Sequence, residues 1–572
     1  MKKKINFFLV VIILLSCKKN TEFHYVTAFE NSNGSTTATY EQVIDFYKKF
    51  SNHSELYTMS KIGITDSGEP LHLVHIKPEQ PVKSTLKVLI LNGIHPGEPD
   101  GIDASMLLAK KLATQNWKLP NEVELYIVPV YNIGGAKNRN STSRVNQNGP
   151  AQYGFRGNAL NYDLNRDFIK SDTQNSKAFY ELYHQINPDV FIDTHVSNGA
   201  DYQYTLTHLF TQAQQLNGEL GKYIDQEYIP KLENKLLIKN LPITPYVNVY
   251  NQTPNKGFSQ FLDTHRYSTG YTSLWNSLGL MIETHMLKPY AERVSATFEM
   301  LLSLIELSAE ESDAIKLKRN QNFESILAKK IYALNYGLDT SKYKTFKFLG
   351  YKATTIVSEV TGKKRLKYKQ DQPVTFPVNY YNYFKPTTTV NIPKAYIIPK
   401  AYKNLISLLK SNQIEMEILQ ENQFFEAEVY HISSYETSKK PYEGHYLHFN
   451  TKVRKSTEKI RASKGDVLVN TNQKGIRYLL ETLEPEAVDS FFNWNFFDSI
   501  LQQKEGYSAY VFDDLAQEIL KNNTALKTEF ETKKQKDSTF ANNASLQLNW
   551  IYKHSIYHEK AYCRYPIYRI LK

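Results

Sequence analysis

Val88-Leu89-Ile90-Leu91-Asn92-Gly93-Ile94-His95-Pro96-Gly97-Glu98 joins an apolar run to a turn that carries a histidine and a glutamate. Behind it, Ile102, Met106 and Ala109 recur at the spacing of one helical face. The pattern predicts a buried strand, a turn and a helix. His95 and Glu98 then sit at the strand's C-terminal end, the edge where open α/β sheets bind ligands. Three residues apart in such a turn, an imidazole and a carboxylate can converge on one small cation. Zinc takes N and O donors at about 2.0–2.2 Å, and a catalytic zinc needs three protein ligands and an open position. Alone the pair is a weak signal, because a chain with 15 histidines carries one His-x-x-Glu about once by chance. It also reads as a loop histidine beside a glutamate that favours a helix N-terminus.

Further strands give the pair its context. Tyr40 to Phe50 reads as an amphipathic helix. Lys61 to Thr65 and Leu71 to Ile76 read as a hairpin around the turn Asp66-Ser67-Gly68-Glu69-Pro70. Val123 to Val130 is another buried strand. Asn138 to Gly157 is a long polar loop, and such loops are functional or mobile. It leads into Arg156-Gly157-Asn158-Ala159-Leu160-Asn161-Tyr162-Asp163-Leu164-Asn165-Arg166, dense in the side chains that recognise carboxylates. Pro188 to His195 is a strand ending in a histidine, and Gly279 to Glu283 one ending in a carboxylate. Three apolar strands thus deliver His95 with Glu98, then His195, then Glu283. Two histidines and a glutamate could hold zinc, and a second glutamate could take a proton from activated water.

His95-x-x-Glu98, Arg156, Asp163-Leu164-Asn165-Arg166, His195 and Glu283 together resemble the zinc metallocarboxypeptidase family of carboxypeptidase A, over about residues 40–320. The Ser67-Gly68-Glu69-Pro70 turn also resembles an early segment of that family. The resemblance implies an α/β fold, a mixed, mostly parallel twisted sheet flanked by helices. It implies one zinc per chain on His95, Glu98 and His195. Glu283 is the implied general base, Arg156 stabilises the oxyanion, and Asn165 with Arg166 grips the free C-terminal carboxylate of a peptide. Asp163 is implied to hydrogen-bond the far nitrogen of a zinc-binding histidine. The family's mobile tyrosine is matched best by Tyr267, with Tyr271 as rival. The segment before Glu283 is short for the family, and no acidic residue is evident there to demand a basic C-terminal side chain. His285 reads as a strand-end residue rather than a ligand.

The 572 residues exceed one core and suggest two to four domains. With 41% hydrophobic and 22% charged residues the chain is globular. The net charge of +11 is mild at this length, and no basic-aromatic module points to nucleic acid. Two cysteines, Cys17 and Cys563, allow neither a disulfide framework nor a cysteine zinc site. Met1-Lys2-Lys3-Lys4, an apolar run to Leu15 and then Ser16-Cys17 read as a signal peptide ending in a bacterial lipobox, with an ordinary cleaved signal as the alternative. On that reading the chain is an exported lipoprotein of a bacterial outer membrane, lipid-anchored at Cys17. Residues 1–17 are the leader, 18–39 a tether, 40–320 the zinc domain and 321–572 a C-terminal α+β region.

After Pro289, Val294, Phe298, Leu301 and Ile305 recur at helical spacing and close the first half. The second half is less legible. Val374 to Ile397 is β-like, Ala401 to Ser411 helical, and Tyr446 to Phe449 and Asp466 to Val469 strands. Leu483-Glu484-Pro485-Glu486 reads as the start of a helix ending near Gln503, with Phe491, Phe492, Trp494, Phe496 and Phe497 as an aromatic core. Two other functions fit: a deacylase or amidohydrolase of the same fold, acting on acylated amino acids or cell-wall peptides, and a non-catalytic binding protein on the same scaffold. Glu283 and Arg156 argue against the second, which has no need of a base or an oxyanion donor.

Overall fold

The computed structural model describes residues 23–571, so Cys17 and the leader lie outside the described residues. Eight strands form the central sheet: β1 (Tyr57–Ile64), β2 (Pro70–Ile76), β3 (Leu86–Leu91), β4 (Val123–Val128), β5 (Val190–Ser197), β6 (Leu206–Phe210), β7 (Ile243–Pro245) and β8 (Leu278–His285). Their order is β1-β2-β4-β3-β5-β8-β6-β7. The run β4–β3–β5–β8 is parallel, as is β6–β7; the other pairings are antiparallel. This is the mixed, mostly parallel α/β sheet expected from the sequence.

β3 is apolar at nearly every position because both its faces are covered. Val88 and Ile90 join the core under the helices Tyr40–Ser51, Asp100–Ala113 and Tyr290–Glu310. Leu89 and Leu91 point the other way, into a core that holds Phe179 and Tyr183 of the helix Gln174–Ile186. Helix Asp100–Ala113 crosses β5 so closely that a Cβ on Gly101 would collide with Thr194. That close packing fixes the His95 turn over the ends of β3 and β5. In the parallel register Leu91 lies opposite Asp193 and His195 opposite Glu283, so adjacent strand ends carry the chemistry.

The second core does not stop at the first half. Tyr396, Tyr478, Phe491 and Trp494 of the C-terminal region belong to it. That region holds a six-stranded sheet built mainly on the long pair Gln423–Thr437 and His448–Ala462. A second hairpin, Lys344–Val357 with Lys364–Tyr381, reaches back to pair Tyr380 with Phe258. The helix Ser312–Leu327 runs straight through position 320, where the sequence suggested a break.

Two further expectations change. Residues 23–39 are not a free tether: Phe23 is buried, with its ring 5.8 Å from that of Phe46. A few apolar side chains among polar ones anchor this segment. The helix expected from Leu483 to Gln503 is absent, and Leu483 instead ends a helix that starts at Ile476. Glu484 is extended because Pro485 follows, and proline disfavours the helical conformation before it. The aromatic run beyond is nonetheless core, with Phe491, Phe492, Trp494 and Phe497 fully buried.

Candidate metal centre and substrate cleft

His95, Glu98 and His195 bring one ligand atom each within 4.8 Å of one another, all buried. Nδ1 of His95 lies 3.3 Å and Nδ1 of His195 3.0 Å from Oε2 of Glu98. The outer nitrogen of each ring meets a carboxylate. His95 Nε2 is 2.9 Å from Asp163 Oδ1, and His195 Nε2 is 2.8 Å from Asp193 Oδ2. An ionised carboxylate only accepts, so each Nε2 carries a proton, which leaves Nδ1 as the nitrogen that would turn a lone pair to a cation. Three ligand atoms thus converge on one point, where a cation would replace the protons on the inner nitrogens. Two imidazoles, a glutamate and carboxylates behind the rings suit zinc. Burial opposes the charge on Glu98, but Arg144, His95 and His195 outweigh it and hold the carboxyl well below its usual range.

The triad opens onto a cleft of about 360 Å³. Glu283 lines it from β8, almost wholly buried. Burial, with Glu98 and Asp193 nearby, pushes its carboxyl up to about 8 against the pull of His195. Arg156 stands at the rim, its Nε 3.0 Å from Asp163 Oδ2 and its Nη1 3.3 Å from His95 Nδ1. Asp163 caps the short turn Leu164–Arg166 by accepting from Asn165 N at 2.9 Å. That turn aims Asn165 and Arg166 into the cleft. The Arg166 guanidinium lies over the Tyr267 ring, 4.4 Å from its centroid.

His95, Glu98, Arg156, Asn165, Arg166, His195, Tyr267 and Glu283 line the cleft, with Asp163 behind His95. Tyr271 does not. Its ring stacks on Tyr180 at 5.2 Å in the core, and its hydroxyl donates to Asn412 at 2.7 Å. His285 is buried and bonds Ala200 O at 2.9 Å, outside the triad. Sequence reasoning missed Asp193, although it lies two residues before His195 on the same strand face. It also missed Arg144, whose Nη1 donates to Glu98 Oε1 at 2.8 Å. The polar loop was visible, but nothing local told which of its arginines turns inward. Asp263, four residues before Tyr267, supplies an acidic group to the cleft wall where none was expected. Burial pushes it up to about 6, and Thr269 donates to it.

The sequence profile described as zinc carboxypeptidase matches residues 43–353, more than half of the chain. Carboxypeptidase 2 of Trichophyton rubrum is 23% identical over 439 residues, covering 72% of this chain and 74% of that protein. Carboxypeptidase 2 of Trichophyton equinum is 22% identical over 490 residues, covering 80% and 84%. A metallo-carboxypeptidase crystal structure from Burkholderia cenocepacia superposes with a TM-score of 0.36 at 18% identity, over 47% of this chain and 68% of that one. The expectation of a bacterial lipoprotein held at an outer membrane through Cys17 is contradicted by these curated relatives, which are fungal. Among the described residues no helix is long and apolar enough to cross a membrane. The family match and the buried His–Glu–His cluster lead to one conclusion: the chain belongs to the zinc carboxypeptidase family, as a zinc-dependent hydrolase of C-terminal peptide bonds.

Proposed function

We propose the following roles for the residues of the cleft in removing the last residue of a peptide. The observation that carries the reading is the buried Glu283 beside three inward-facing donors, opposite an asparagine–arginine pair in one cleft. Arg166 and Asn165 bind the substrate's terminal carboxylate, a planar anion that guanidinium matches with two parallel hydrogen bonds. This contact sets register, so that the last peptide bond reaches the triad. Tyr267, packed under Arg166, keeps that guanidinium in place and walls the subsite. His95, Glu98 and His195 would hold a zinc ion, which would supply Lewis acidity for the carbonyl and for the attacking water.

Glu283 accepts the proton released as water attacks, then returns it to the leaving amine. Its burial suits this exchange, because a carboxyl pushed upward both accepts and releases a proton near neutrality. Arg156 neutralises the charge that grows on the carbonyl oxygen, where a fixed cation favours the transition state over the ground state. Asp163 and Asp193 lock the two histidine rings with Nδ1 inward.

The test is Glu283→Gln in the full chain. Its kcat on peptides is expected to drop about 10²- to 10⁴-fold, the usual contribution of a general base. Zinc content should stay at one per chain. A variant that loses its zinc together with its activity would show that Glu283 serves the metal instead.

A further inference from the structure

The C-terminal region meets the active-site loop at the turn Tyr442-Glu443-Gly444-His445 between the strands Gln423–Thr437 and His448–Ala462. All four residues engage the catalytic half. Glu443 Oε2 accepts from the backbone N of Asp163 at 2.8 Å, across 280 residues of sequence. Tyr442 lies beside both Arg166 and Arg266 and favours their charged forms. Its ring stacks on Trp494 at 6.1 Å. A Cβ on Gly444 would run into the ring of Tyr162. His445 Nε2 pairs with Asp172 Oδ2 at 2.8 Å.

The backbone of the turn adds a second observation. Glu443 has φ 48° and Gly444 φ 81°, with Tyr442 and His445 paired on either side. Two-residue turns with both central residues at positive φ strongly prefer asparagine or aspartate before glycine. A glutamate there is strained and persists only when its surroundings hold it. A shorter asparagine or aspartate would relieve the strain, but its side chain is one methylene short of Glu443's reach to Asp163. The strained residue is the one whose carboxylate crosses to the active-site loop.

We propose that this turn is a positioning device for the catalytic site. Glu443 holds the Asp163 backbone, and Asp163 in turn orients His95 and Arg156. Tyr442, whose ring lies under the Arg266 guanidinium at 5.6 Å, also borders Arg166, the cation packed on Tyr267. Both are positioning residues, since neither lines the cleft. The C-terminal region then has a part in the reaction, as the outer support of the loop that serves both the metal and the substrate. The inference rests on the roles given above to Asp163 and Arg166.

The test uses the full chain with Glu443→Ala, Glu443→Gln, Tyr442→Phe and, as a control on the same hairpin, Lys440→Ala. Zinc retention is measured by chelator competition, and kcat and KM with a peptide substrate. Glu443→Ala is expected to weaken zinc retention by roughly tenfold, the lower end of what partners behind a ligand contribute. Glu443→Gln keeps an acceptor and should restore retention to within about twofold of the parent, as in Lys440→Ala. Tyr442→Phe should raise KM by about three- to tenfold with kcat little changed, the pattern of a lost binding contact. If Glu443→Ala lowers only the melting temperature, with zinc retention and both kinetic constants unmoved, the turn is structural packing and the proposal is wrong. A glutamine variant as impaired as the alanine variant also overturns it. Zinc retention is read without substrate, so failure here and failure of the carboxypeptidase reading give different results.

Discussion

The two walls of the cleft are made in different ways. The metal wall stands on strand ends: His195 and Glu283 face each other in register on β5 and β8, and His95 and Glu98 leave the end of β3. The substrate wall is loop. Arg144, Arg156 and Arg166 come from the polar stretch 138–166, and Tyr267 from the approach to β8. Hydrogen-bond ladders fix the first wall at short range. The second wall is held by side chains far away in sequence, Glu443 on Asp163 among them. A rigid wall holds the reacting centre while an adjustable one receives the substrate, and each fails in its own way when broken.

Removing the metal should give the largest effect. Stripping zinc with a chelator is expected to abolish turnover, and adding it back to restore turnover. Zinc at about 1,000 times its dissociation constant should also stabilise the fold by about 4 kcal/mol, read as a rise in melting temperature. Breaking the substrate wall is milder. Arg166→Ala is expected to lower kcat/KM about 10- to 100-fold, chiefly through KM, because a charged hydrogen-bond partner is lost while the metal remains. Asp193→Asn tests the wall where the support is most buried. It should weaken zinc binding about 10- to 100-fold and leave KM for loaded enzyme nearly unchanged.

A pH profile sharpens the contrast with a smaller effect. Burial pushes Glu283 up to about 8 without the cation, and a nearby dication favours the ionised form and lowers that value. Below its pKa Glu283 already carries a proton and accepts none, so kcat/KM should fall as pH drops through a midpoint below about 8. The limb should vanish in Glu283→Gln. The smallest expected effect is at Arg144. Arg144→Lys keeps a cation near Glu98 and should change zinc affinity by less than the Asp193 variant does.

The same division decided what could be read from the sequence. Strand ends betray themselves, because an apolar run that stops at a histidine or glutamate says where the side chain stands. Hence His95, Glu98, His195 and Glu283 were legible together, and with them the sheet. Arg156, Asn165 and Arg166 were legible through family resemblance, since a loop's course has no period to read. Arg144 and Asp263 were not, because their place depends on contacts that local sequence does not encode. Tyr267 and Tyr271 are chemically alike and four residues apart; only the packing of Tyr271 against Tyr180 separates them. In the C-terminal half, Pro485 marks a helix end, yet its neighbours also satisfied the pattern for a start. The turn at Glu443 could not be foreseen, because glutamate is a poor residue for that backbone and its partner lies 280 positions away.

The most direct measurement compares three substrates on the zinc-loaded full chain, with products read by mass. One is a peptide with a free C-terminal carboxylate, the second the same peptide as its C-terminal amide, and the third an N-acylated amino acid. Stepwise loss of single C-terminal residues is expected from the first and little from the amide, since Arg166 and Asn165 then lack their anion. Equal cleavage of peptide and amide, or hydrolysis of the acylated amino acid alone, would contradict that expectation and point to a deacylase on the same fold.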